Sequence, residues 1–465
     1  MSDEWTSVID TVRGRVEPDE SEREAMQTAI DTLTERVSEA LSDLPVDAEV
    51  KLAGSTARDT WLAGDRDIDI FVAFPPDLDR DHLESYGLTV GHAVLPDGRE
   101  EFAEHPYVVG EHDGFAVDIV PCYAVEDATA IQSSVDRTPF HTAYIRERIT
   151  PEIASDIRVC KQFLSGIGVY GSDLHTQGFS GYLTELLVLE FGGFRPLVEA
   201  AADWNPPLEF DPEEHGMASF DDPLTVIDPT DPERNVAAVL SAGNLARFQH
   251  YARELVAAPG TDLFEYPTPE PVDEETVRER FVSRGTTPIA LQFPTPDIVD
   301  DQLWPQLERS RSGIESELNR QGFSVFRSAA FVSDPTATGD SIAVLLFELA
   351  VAERPAVERH DGPPVHVREH AESFFDAYAN EDETVGPFID GGRYVVERPR
   401  EFTSARRFLT SDALFDVALG AHVETALESG YELLVGDAVG SLAPQLGRQL
   451  AQYLSPTPRN GSGLS

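Results

Sequence analysis

The pattern of apolar and polar positions divides the first 140 residues into one helix and three strands. Between residues 18 and 43, apolar side chains recur at intervals of three and four, which predicts an amphipathic helix. Short apolar runs bounded by glycine or proline predict strands. Three of them follow in turn: AEVKLAGS, IDIFVAF and GFAVDIVPCY. We therefore expect this part of the chain to be an α/β unit.

A mainly helical section follows. Three stretches have the spacing and the end signals of helices: PEIASDIRVCKQFLSGIG, SGYLTELLVLEFG and ERNVAAVLSAGNLARFQHYARELVAA. Residues 196–234 are rich in proline and aspartate, and are predicted to be a loop. The segment PGTDLFEYPTPEPVDE is predicted to be a domain boundary.

Helices and strands alternate between residues 275 and 397. The predicted elements are, in order, the strand TPIALQFP, the helix IVDDQLWPQLERSRSGIESELNRQG, the strands FSVFRSAAFVSD and DSIAVLLFELAV, the helix VREHAESFFDAYAN and the strand RYVVERP. This β-α-β-β-α-β order is that of a ferredoxin-like sandwich. Residues 400–453 are predicted to be helical again, and residues 456–465 to be disordered.

The charge of the chain is strongly negative. Eighty-four acidic residues face 35 basic ones, the formal net charge is −49, and only two of the bases are lysines. Such a charge opposes folding at low salt through self-repulsion, but at about 1 M salt the Debye length is only about 3 Å. The acids are spread along the chain rather than collected in a tail. The composition therefore favours a halophile's protein over an acidic protein that binds basic partners.

Other features of the composition indicate a globular cytoplasmic protein. Apolar residues make up 41% of the chain. The longest apolar run, IAVLLFELAVA, is interrupted by Glu348 and is too short to span a bilayer. The start, MSDEWTSVID, lacks the features of a signal peptide. Cys122 and Cys160 are too few for a disulfide framework, and both are expected in the core.

A glycine–serine pair precedes the second predicted strand. In LAGSTARDTWLAGDRDIDIF, Gly54 and Ser55 lie at a strand-to-helix turn, where backbone amides can approach an anion closely. Ser55 adds a hydroxyl group, and Arg58 adds a guanidinium group. These residues are candidates for binding a triphosphate, and a surface ion pair is the alternative for Arg58.

Three aspartates are candidates for a metal site. Asp67 and Asp69 are two residues apart on a predicted strand, so both project from one face, whereas Asp65 precedes the strand and should be solvated. Asp118 is the only acid in FAVDIV, and burying an unpaired carboxylate is costly. Surface charge is the alternative for the pair, because acids are abundant. Three carboxylates suit Mg²⁺ and would support two-metal nucleotidyl transfer.

Six motifs in this order resemble those of the archaeal, class I CCA-adding enzymes, which are tRNA nucleotidyltransferases: GSTARDTWLAGDRDIDIF, VDIVPCY, SVDRTPFH, KQFLSGIGVYGSD, GFSGYLTELL and ERNVAAVLSAGNLARF. The first motif alone marks only the wider polymerase-β-like superfamily. The resemblance covers residues 1–255 by motif and the rest by domain order. Two positions depart from the family: Asp67 replaces the usual glutamate, and Thr56 replaces a residue that is commonly aromatic.

The resemblance implies an α+β multidomain fold. It consists of a polymerase-β-like nucleotidyltransferase head, a helical central and body region, and a ferredoxin-like (RRM-like) tail. The predicted divisions are the catalytic head, 1–142; the helical central domain with the nucleotide pocket, 143–265; the tRNA-binding tail, 270–398; a C-terminal part returning to the body, 399–455; and the disordered end, 456–465.

The resemblance also implies template-independent addition of C, C and A to the 3′ end of tRNA from CTP and ATP, with two Mg²⁺ ions as cofactors. The metal carboxylates are matched by Asp67, Asp69 and Asp118. The nucleotide contacts are matched by Gly54, Ser55, Arg58, His141, Lys161, Tyr170 and Arg234. The last of these is the arginine that helps to read the base. The later domains would grip the acceptor stem and T-arm, and the oligomeric state, with a homodimer among the options, stays open.

Alternatives remain for several of these residues. Lys161 is one of only two lysines, and its compact ammonium group suits a phosphate where a guanidinium group would not fit. Packing near the site is the alternative for His141 and Tyr170, and a surface position at a helix start is the alternative for Arg234. Core packing is preferred to base stacking for three aromatic residues of the sandwich, Phe293, Phe323 and Phe326.

Two other functions stay open. One is a related poly(A) or terminal uridylyl transferase, and the other is a non-catalytic RNA-binding protein of the same fold, against which the intact aspartates speak. Because nucleic-acid binding normally relies on basic residues, we expect the arginines to be concentrated on the tRNA-facing surface, with SARRF (404–408) contributing.

Overall fold

The computed structural model describes residues 2–102, 104–216, 218–334 and 341–459. The chain divides into two compact units, residues 1–267 and 268–465, and the division falls inside the segment PGTDLFEYPTPEPVDE. The finer division into five parts stays a prediction. The disorder predicted for 456–465 falls mainly on 460–465, which lie outside the described residues.

The first unit contains nine helices and eight strands among its described residues. The helices are α1 Ser2–Val16, α2 Glu20–Ser42, α3 Gly54–Ala57, α4 Arg80–Val94, α5 Thr138–Arg148, α6 Pro151–Gly166, α7 Gly181–Phe191, α8 Phe194–Ala201 and α9 Ala242–Ala257. The strands are β1 Glu49–Leu52, β2 Asp67–Phe74, β3 Arg99–Phe102, β4 Pro106–His112, β5 Phe115–Tyr123, β6 Leu208–Phe210, β7 Leu224–Asp228 and β8 Asp231–Asn235.

Five strands form the first sheet, in the order β1-β2-β5-β4-β3. β2 and β5 are parallel, and the other pairs are antiparallel. Alternate residues of β2, including Ile68, Ile70 and Val72, pack in one core with buried residues of α2 and α4. The predicted helix 18–43 and the three predicted strands are confirmed, whereas α1, α4, β3 and β4 were not predicted. On the opposite face, Phe71 and Ala73 belong to a second, smaller core, and only Asp67 and Asp69, at the start of β2, are left exposed or partly exposed.

The helical part of the first unit has a core formed mainly by α1, α6, α7, α8 and α9. The prediction of a loop over 196–234 is wrong, because this range includes most of α8 and the small sheet β6-β7-β8. The helix predicted from Glu233 begins only at Ala242, after the N-cap Ser241. The Asn235 side chain explains the difference, since its Oδ1 accepts from the backbone N–H groups of Val226 and Ala237 and holds this segment against β7.

The second unit contains six helices and seven strands among its described residues. The helices are α10 Glu274–Arg284, α11 Asp300–Arg320, α12 Arg368–Tyr378, α13 Ala405–Leu409, α14 Ala421–Ser429 and α15 Ala443–Leu454. The strands are β9 Thr287–Pro294, β10 Val325–Val332, β11 Ile342–Leu349, β12 Val357–Pro364, β13 Val385–Asp390, β14 Arg393–Pro399 and β15 Glu432–Val435.

A four-stranded antiparallel sheet in the order β10-β11-β9-β15 forms the centre of the second unit. Residues of α11 and α14 pack on one face of it, and residues of α10 and α15 pack on the other. The sheet therefore lies between two helical layers. Along the described part of the chain, no helix combines the length and apolarity needed to cross a membrane.

Two predicted elements of the sandwich lie elsewhere. The helix VREHAESFFDAYAN and the strand RYVVERP correspond to α12 and β14, and β14 belongs to a separate sheet, β12-β14-β13. A local hairpin explains this, because Gly391 and Gly392, both with positive φ, join β13 to β14 and pair Asp390 with Arg393. The fourth strand is β15, within the 400–453 range that was predicted to be helical. That prediction is corrected accordingly.

Candidate active site

Asp67, Asp69 and Asp118 are brought together by the pairing of two parallel strands. β2 and β5 are in a register that places Asp69 beside Asp118, and Asp67 lies two residues before Asp69. All three side chains project from the face opposite to Ile68 and Ile70. We call Asp67, Asp69 and Asp118 the carboxylate row. The register confirms that the lone acid of β5 lies next to the acids of β2.

The turn that contains Gly54 lies directly against the carboxylate row. Gly54 has φ +67°, and a Cβ atom there would lie only 1.8 Å from Oδ2 of Asp69. The Ala53 N–H group donates to the Asp69 carbonyl at 2.9 Å. The Thr56 hydroxyl donates to the Asp67 carbonyl at 2.7 Å. Only glycine fits at position 54, and Thr56, one of the two departures from the family, helps to attach this turn to β2.

The carboxylate row carries negative charge that the protein does not balance with direct partners. Burial raises the pKa of Asp69, and the charge of Asp67 adds to this, while Arg58 opposes it. Burial, Asp69 and then Glu101 raise the pKa of Asp118 to about 6. Among the described residues, none of the three carboxylates forms a hydrogen bond or an ion pair.

The donor set of the row fits a divalent cation. Carboxylate oxygens are the ligands that Mg²⁺ prefers, and a cation would offset the repulsion that, together with burial, raises the pKa of Asp118. The described residues contain no group of three or more His, Cys, Asp or Glu side chains already arranged around a metal position.

Arg58 and Lys161 are held by a buried carboxylate that the sequence analysis did not identify. Nε of Arg58 lies 2.6 Å from Oε2 of Glu185, which is 0% exposed. Nζ of Lys161 lies 3.2 Å from Oε1 of Glu185, and it donates to the carbonyl and hydroxyl oxygens of Thr60 at 3.0 and 3.1 Å. Arg58 also donates to Thr142 at 3.3 Å. We call Arg58, Thr60, Lys161 and Glu185 the Glu185 cluster.

The charges of the Glu185 cluster offset one another. Burial by itself would raise the pKa of Glu185, but Arg58 and Lys161 hold it below its usual value. Burial lowers the pKa of Lys161, and Glu185 opposes this. Arg58 is 8% exposed, so the alternative of a surface ion pair is wrong. Glu185 is thus the ionised counterion of two basic groups.

Tyr170 lies beside the Glu185 cluster. A Cβ atom on Gly181 would lie 3.3 Å from the Tyr170 hydroxyl and 4.0 Å from Nζ of Lys161. The backbone of Tyr170 forms an isolated bridge with Phe179. Burial and the charge of Glu185 raise the pKa of Tyr170. The first residue of α7 thus allows Tyr170 and Lys161 to come close to each other.

His141 and Arg234 are brought together by a second carboxylate that the sequence analysis missed. Oδ2 of Asp228 lies 2.8 Å from Nε2 of His141 and accepts from Nη1 of Arg234 at 2.7 Å. The His141 ring stacks on Tyr182 at a centroid distance of 3.9 Å. Thr230 donates its N–H and hydroxyl groups to Oδ1 of Asp228. We call these five residues the Asp228 cluster.

Asp228 remains ionised although it is completely buried. Burial by itself would raise its pKa, but hydrogen bonds from His141 and Thr230 hold the pKa below its usual range. Burial lowers the pKa of His141 in spite of its bond to Asp228. Arg234 belongs to β8, so the alternative of a position at a helix start is wrong.

The loop that carries Arg58 and Thr60 is held by another buried arginine. Arg158 of α6 donates from Nε to the carbonyl of Trp61 at 2.9 Å, and from Nη2 to the carbonyl of Asp59 at 2.5 Å. Asp59 has φ +53°, which is unusual for a residue other than glycine. Two residues of α6 that are one turn apart, Arg158 and Lys161, therefore hold this loop.

A signal for the missed carboxylates was present in the sequence. Glu185 is the only acid in YLTELLVL, as Asp118 is in FAVDIV, and Asp228 ends the apolar run LTVID. The argument that singled out Asp118 applies equally to Glu185. What the sequence does not contain is the identity of the partners, which come from distant elements.

The other residues singled out from the sequence lie partly in the core and partly on the surface. Cys122 and Cys160 are buried, as predicted. Core packing is confirmed for Phe293 and Phe323 but is wrong for Phe326, which is 61% exposed, with the guanidinium group of Arg284 5.2 Å from its ring centroid. Asp65 is exposed, as predicted.

Family models match most of the chain. A "Nucleotidyltransferase domain" model matches residues 34–141, and a "tRNA nucleotidyltransferase, second domain" model matches residues 155–265. A "CCA-adding enzyme, C-terminal domain" model matches residues 284–436. The first two ranges contain all the candidate site residues identified from the sequence.

Relatives of nearly the same length are similar to this chain. It is 60% identical to the CCA-adding enzyme of Haloarcula marismortui over 466 residues, which cover 98% of this chain and all of the relative. It is 59% identical to that of Halorubrum lacusprofundi, again over 98% of this chain and all of the relative. The CCA-adding enzyme of Methanosarcina mazei is 38% identical over 93% of this chain and 94% of its own length. The resemblance inferred from the six motifs is confirmed, and the chain belongs to the family of CCA-adding enzymes.

Proposed function

We infer that the protein adds C, C and A to the 3′ end of tRNA from CTP and ATP without a nucleic-acid template, and releases pyrophosphate. The observation that carries this conclusion is the carboxylate row, aligned beside Gly54 in a chain that is 60% identical to a CCA-adding enzyme. In the reaction, the 3′ hydroxyl of the RNA forms a bond to the α-phosphorus while the bond to the β-phosphate oxygen breaks.

We propose that Asp67, Asp69 and Asp118 hold two Mg²⁺ ions. Their lack of internal partners supports this assignment. When bound, Mg²⁺ lowers the pKa of the attacking hydroxyl and stabilises the leaving pyrophosphate. The shorter side chain of Asp67, in place of the family's glutamate, is compatible with its exposed position at the start of β2.

We propose that the triphosphate is bound by the turn of Gly54 and Ser55 together with Arg58. The close approach of Gly54 to Asp69 supports this assignment, because a nucleotide that bridges a metal site and a phosphate site requires the two to be adjacent. Arg58 is within electrostatic reach of Asp69, since its charge lowers the pKa of that residue. Lys161 and Tyr170 lie behind Arg58, around Glu185 and Gly181.

We propose that the Asp228 cluster receives the base and ribose of the nucleotide. Arg234 is partly exposed, and only Nη1 is engaged with Asp228. Its other N–H groups are therefore available to acceptors on a base. The stacked rings of His141 and Tyr182 provide a flat, partly exposed surface beside it.

We propose that the second unit contains a ferredoxin-like tail that binds the acceptor stem and T-arm of tRNA. The strand order β10-β11-β9-β15, with α11 and α14 on one face, supports this fold. Arg406 and Arg407, in the segment SARRF, are exposed and form no ion pair among the described residues. They are available to phosphates. A homodimer and a cytoplasmic location remain parts of this proposal.

One assay tests the proposed function. The protein is incubated in high KCl and Mg²⁺ with tRNA that lacks its 3′ CCA, and with CTP and ATP. Addition of CCA followed by termination is expected. Runs of A or U would instead indicate a poly(A) or terminal uridylyl transferase, and no incorporation would indicate a non-catalytic RNA-binding protein.

A further inference from the structure

Glu185 is an ionised side chain in the middle of an apolar helix, and three side chains converge on it. Arg58 lies 2.6 Å away, Lys161 lies 3.2 Å away, and the Thr60 hydroxyl donates at 2.5 Å. The neighbouring residues of α7 are buried apolar or small polar ones. A hydrophobic side chain would be cheaper to bury than this carboxylate. We therefore explain this carboxylate by the two cationic side chains that it contacts, Arg58 and Lys161.

The contacts of Arg58 leave part of its guanidinium group free. Nε faces Glu185 and Nη1 donates to Thr142, whereas Nη2 forms no hydrogen bond with the described residues. The charge of Arg58 acts on both Asp69 and His141. Thr142, to which Nη1 donates, follows His141 of the Asp228 cluster, and Gly54, four residues before Arg58, lies against Asp69 of the carboxylate row. Arg58 is thus close to both groups, and its Nε forms an ion pair with Glu185.

Lys161 differs from Arg58 in that its hydrogen-bond donors are all engaged within the protein. Its three N–H donors match three acceptors, which are the carbonyl and hydroxyl oxygens of Thr60 and Oε1 of Glu185. In this arrangement Lys161 offers a nearby positive charge rather than a hydrogen bond. It also fixes Thr60, two residues after Arg58 in the chain.

We propose that Glu185 is the positioning residue of the triphosphate site, which it serves by holding Arg58 and Lys161 as a preformed pair of cations. This inference rests on the proposed function, in which Arg58 and Lys161 belong to the nucleotide site. Without Glu185, two like charges would face each other in a buried space, and the fork of Arg58 would lose its fixed direction. The ligand that this arrangement recognises is the triphosphate chain, whichever base it carries.

The test compares Glu185→Gln, Glu185→Asp and the control Glu190→Gln, which changes an exposed acid on the same helix. Binding of inorganic tripolyphosphate is measured by calorimetry in high KCl, without tRNA. We expect Glu185→Gln to weaken this binding roughly tenfold, Glu185→Asp to weaken it less, and the control to leave it unchanged. In steady-state assays, KM for CTP and for ATP should rise together while KM for tRNA stays the same.

Several results would overturn the inference. Unchanged tripolyphosphate binding in Glu185→Gln would show that Glu185 has only a structural role, and tighter binding would show that it competes with the ligand. If Glu185→Gln does not fold, unchanged binding in Glu185→Asp decides against the proposal. Failure of the proposed function is separate, because wild-type protein would then add no CCA whatever the tripolyphosphate affinities are.

Discussion

The carboxylate row and the Glu185 cluster lie close together but differ in how their acids are compensated. Asp69 and Asp118 have no hydrogen-bond or ion-pair partner among the described residues, and their pKa values are raised. Glu185 contacts Arg58 and Lys161, and its pKa is lowered. We expect the acids without protein partners, Asp69 and Asp118, to bind a metal ion. Glu185, which has partners, instead holds other side chains of the site in place.

The second unit contains another acid of the compensated kind. Glu348 of β11 is 0% exposed, and it accepts from Arg284 at 2.6 Å, from the Thr286 hydroxyl at 2.6 Å and from the Tyr453 hydroxyl at 3.1 Å. Arg327 lies 3.4 Å from it. These contacts connect β11 to α10, β10 and α15. A lone acid in an apolar run is therefore structural in one place and a proposed metal ligand in another.

The largest effect is expected from removing an uncompensated acid. Asp69→Ala should reduce CMP incorporation into tRNA lacking CCA by about 10³-fold, because metal binding supplies several kcal/mol of transition-state stabilisation. Its thermal stability should not fall, since no internal partner is lost. Filter binding should show that tRNA is still bound.

Asp77→Ala is a matched control, because Asp77 is an exposed acid shortly after β2. It should leave incorporation unchanged. Substantial incorporation by Asp69→Ala would show that the metal assignment is wrong.

Removing a compensated acid should instead affect stability. Glu348→Ala leaves Arg284 and Arg327 without their buried counterion, which should lower the free energy of unfolding by about 3–5 kcal/mol. Urea unfolding in high KCl measures this loss. Glu372→Ala, which breaks an exposed pair with Arg368, should cost no more than about 0.5 kcal/mol. Equal stability of the two variants would contradict the distinction.

The Asp228 cluster should affect nucleotide choice. Asp228→Asn weakens the hold on His141 and Arg234, and kcat/KM for CTP and ATP should fall about tenfold, as expected for the loss of a charged hydrogen bond. Discrimination against UTP and GTP should fall as well. Competition assays with all four nucleotides measure both effects, with the exposed Asp221→Asn as control. Retained selectivity would mean that another group reads the base.

The smallest predicted effect is a gain in stability rather than a loss. In EDTA, at the lowest KCl concentration that keeps the protein folded, Asp118→Asn should raise the stability by about 0.5 kcal/mol, because like charges side by side on adjacent strands are destabilising. Mg²⁺ should then stabilise the wild type more than the variant. Thermal melts with and without Mg²⁺ measure the difference. The control is Glu111→Gln, an exposed acid on β4, and a lower stability of Asp118→Asn in EDTA would contradict the idea of an uncompensated row.

Three of the five strands of the active-site sheet, and the helix α2 that packs on it, were predictable because their signals are local, whereas β3, β4 and α4 were missed. The apolar spacing of α2 and the alternation of β2 each lie within one segment, and both were identified. The long helix predicted from Glu233 failed because the Asn235 side chain and the cap Ser241 end one element and begin another. The last strand of the sandwich was predicted to be β14 rather than β15, because the sequence analysis missed the Gly391-Gly392 hairpin that pairs β14 with β13.

The sequence by itself determined the family, the salt-adapted composition and which three aspartates are candidates for the metal site, because ordered motifs and residue types can be read directly from the chain. Only the tertiary structure decided which acids are compensated. Asp118 and Glu185 look alike in sequence, yet one lies beside Asp69 on a neighbouring strand and the other contacts Arg58 and Lys161. The charge state and role of a buried acid depend on groups that approach it from distant segments, and folding alone brings those groups together.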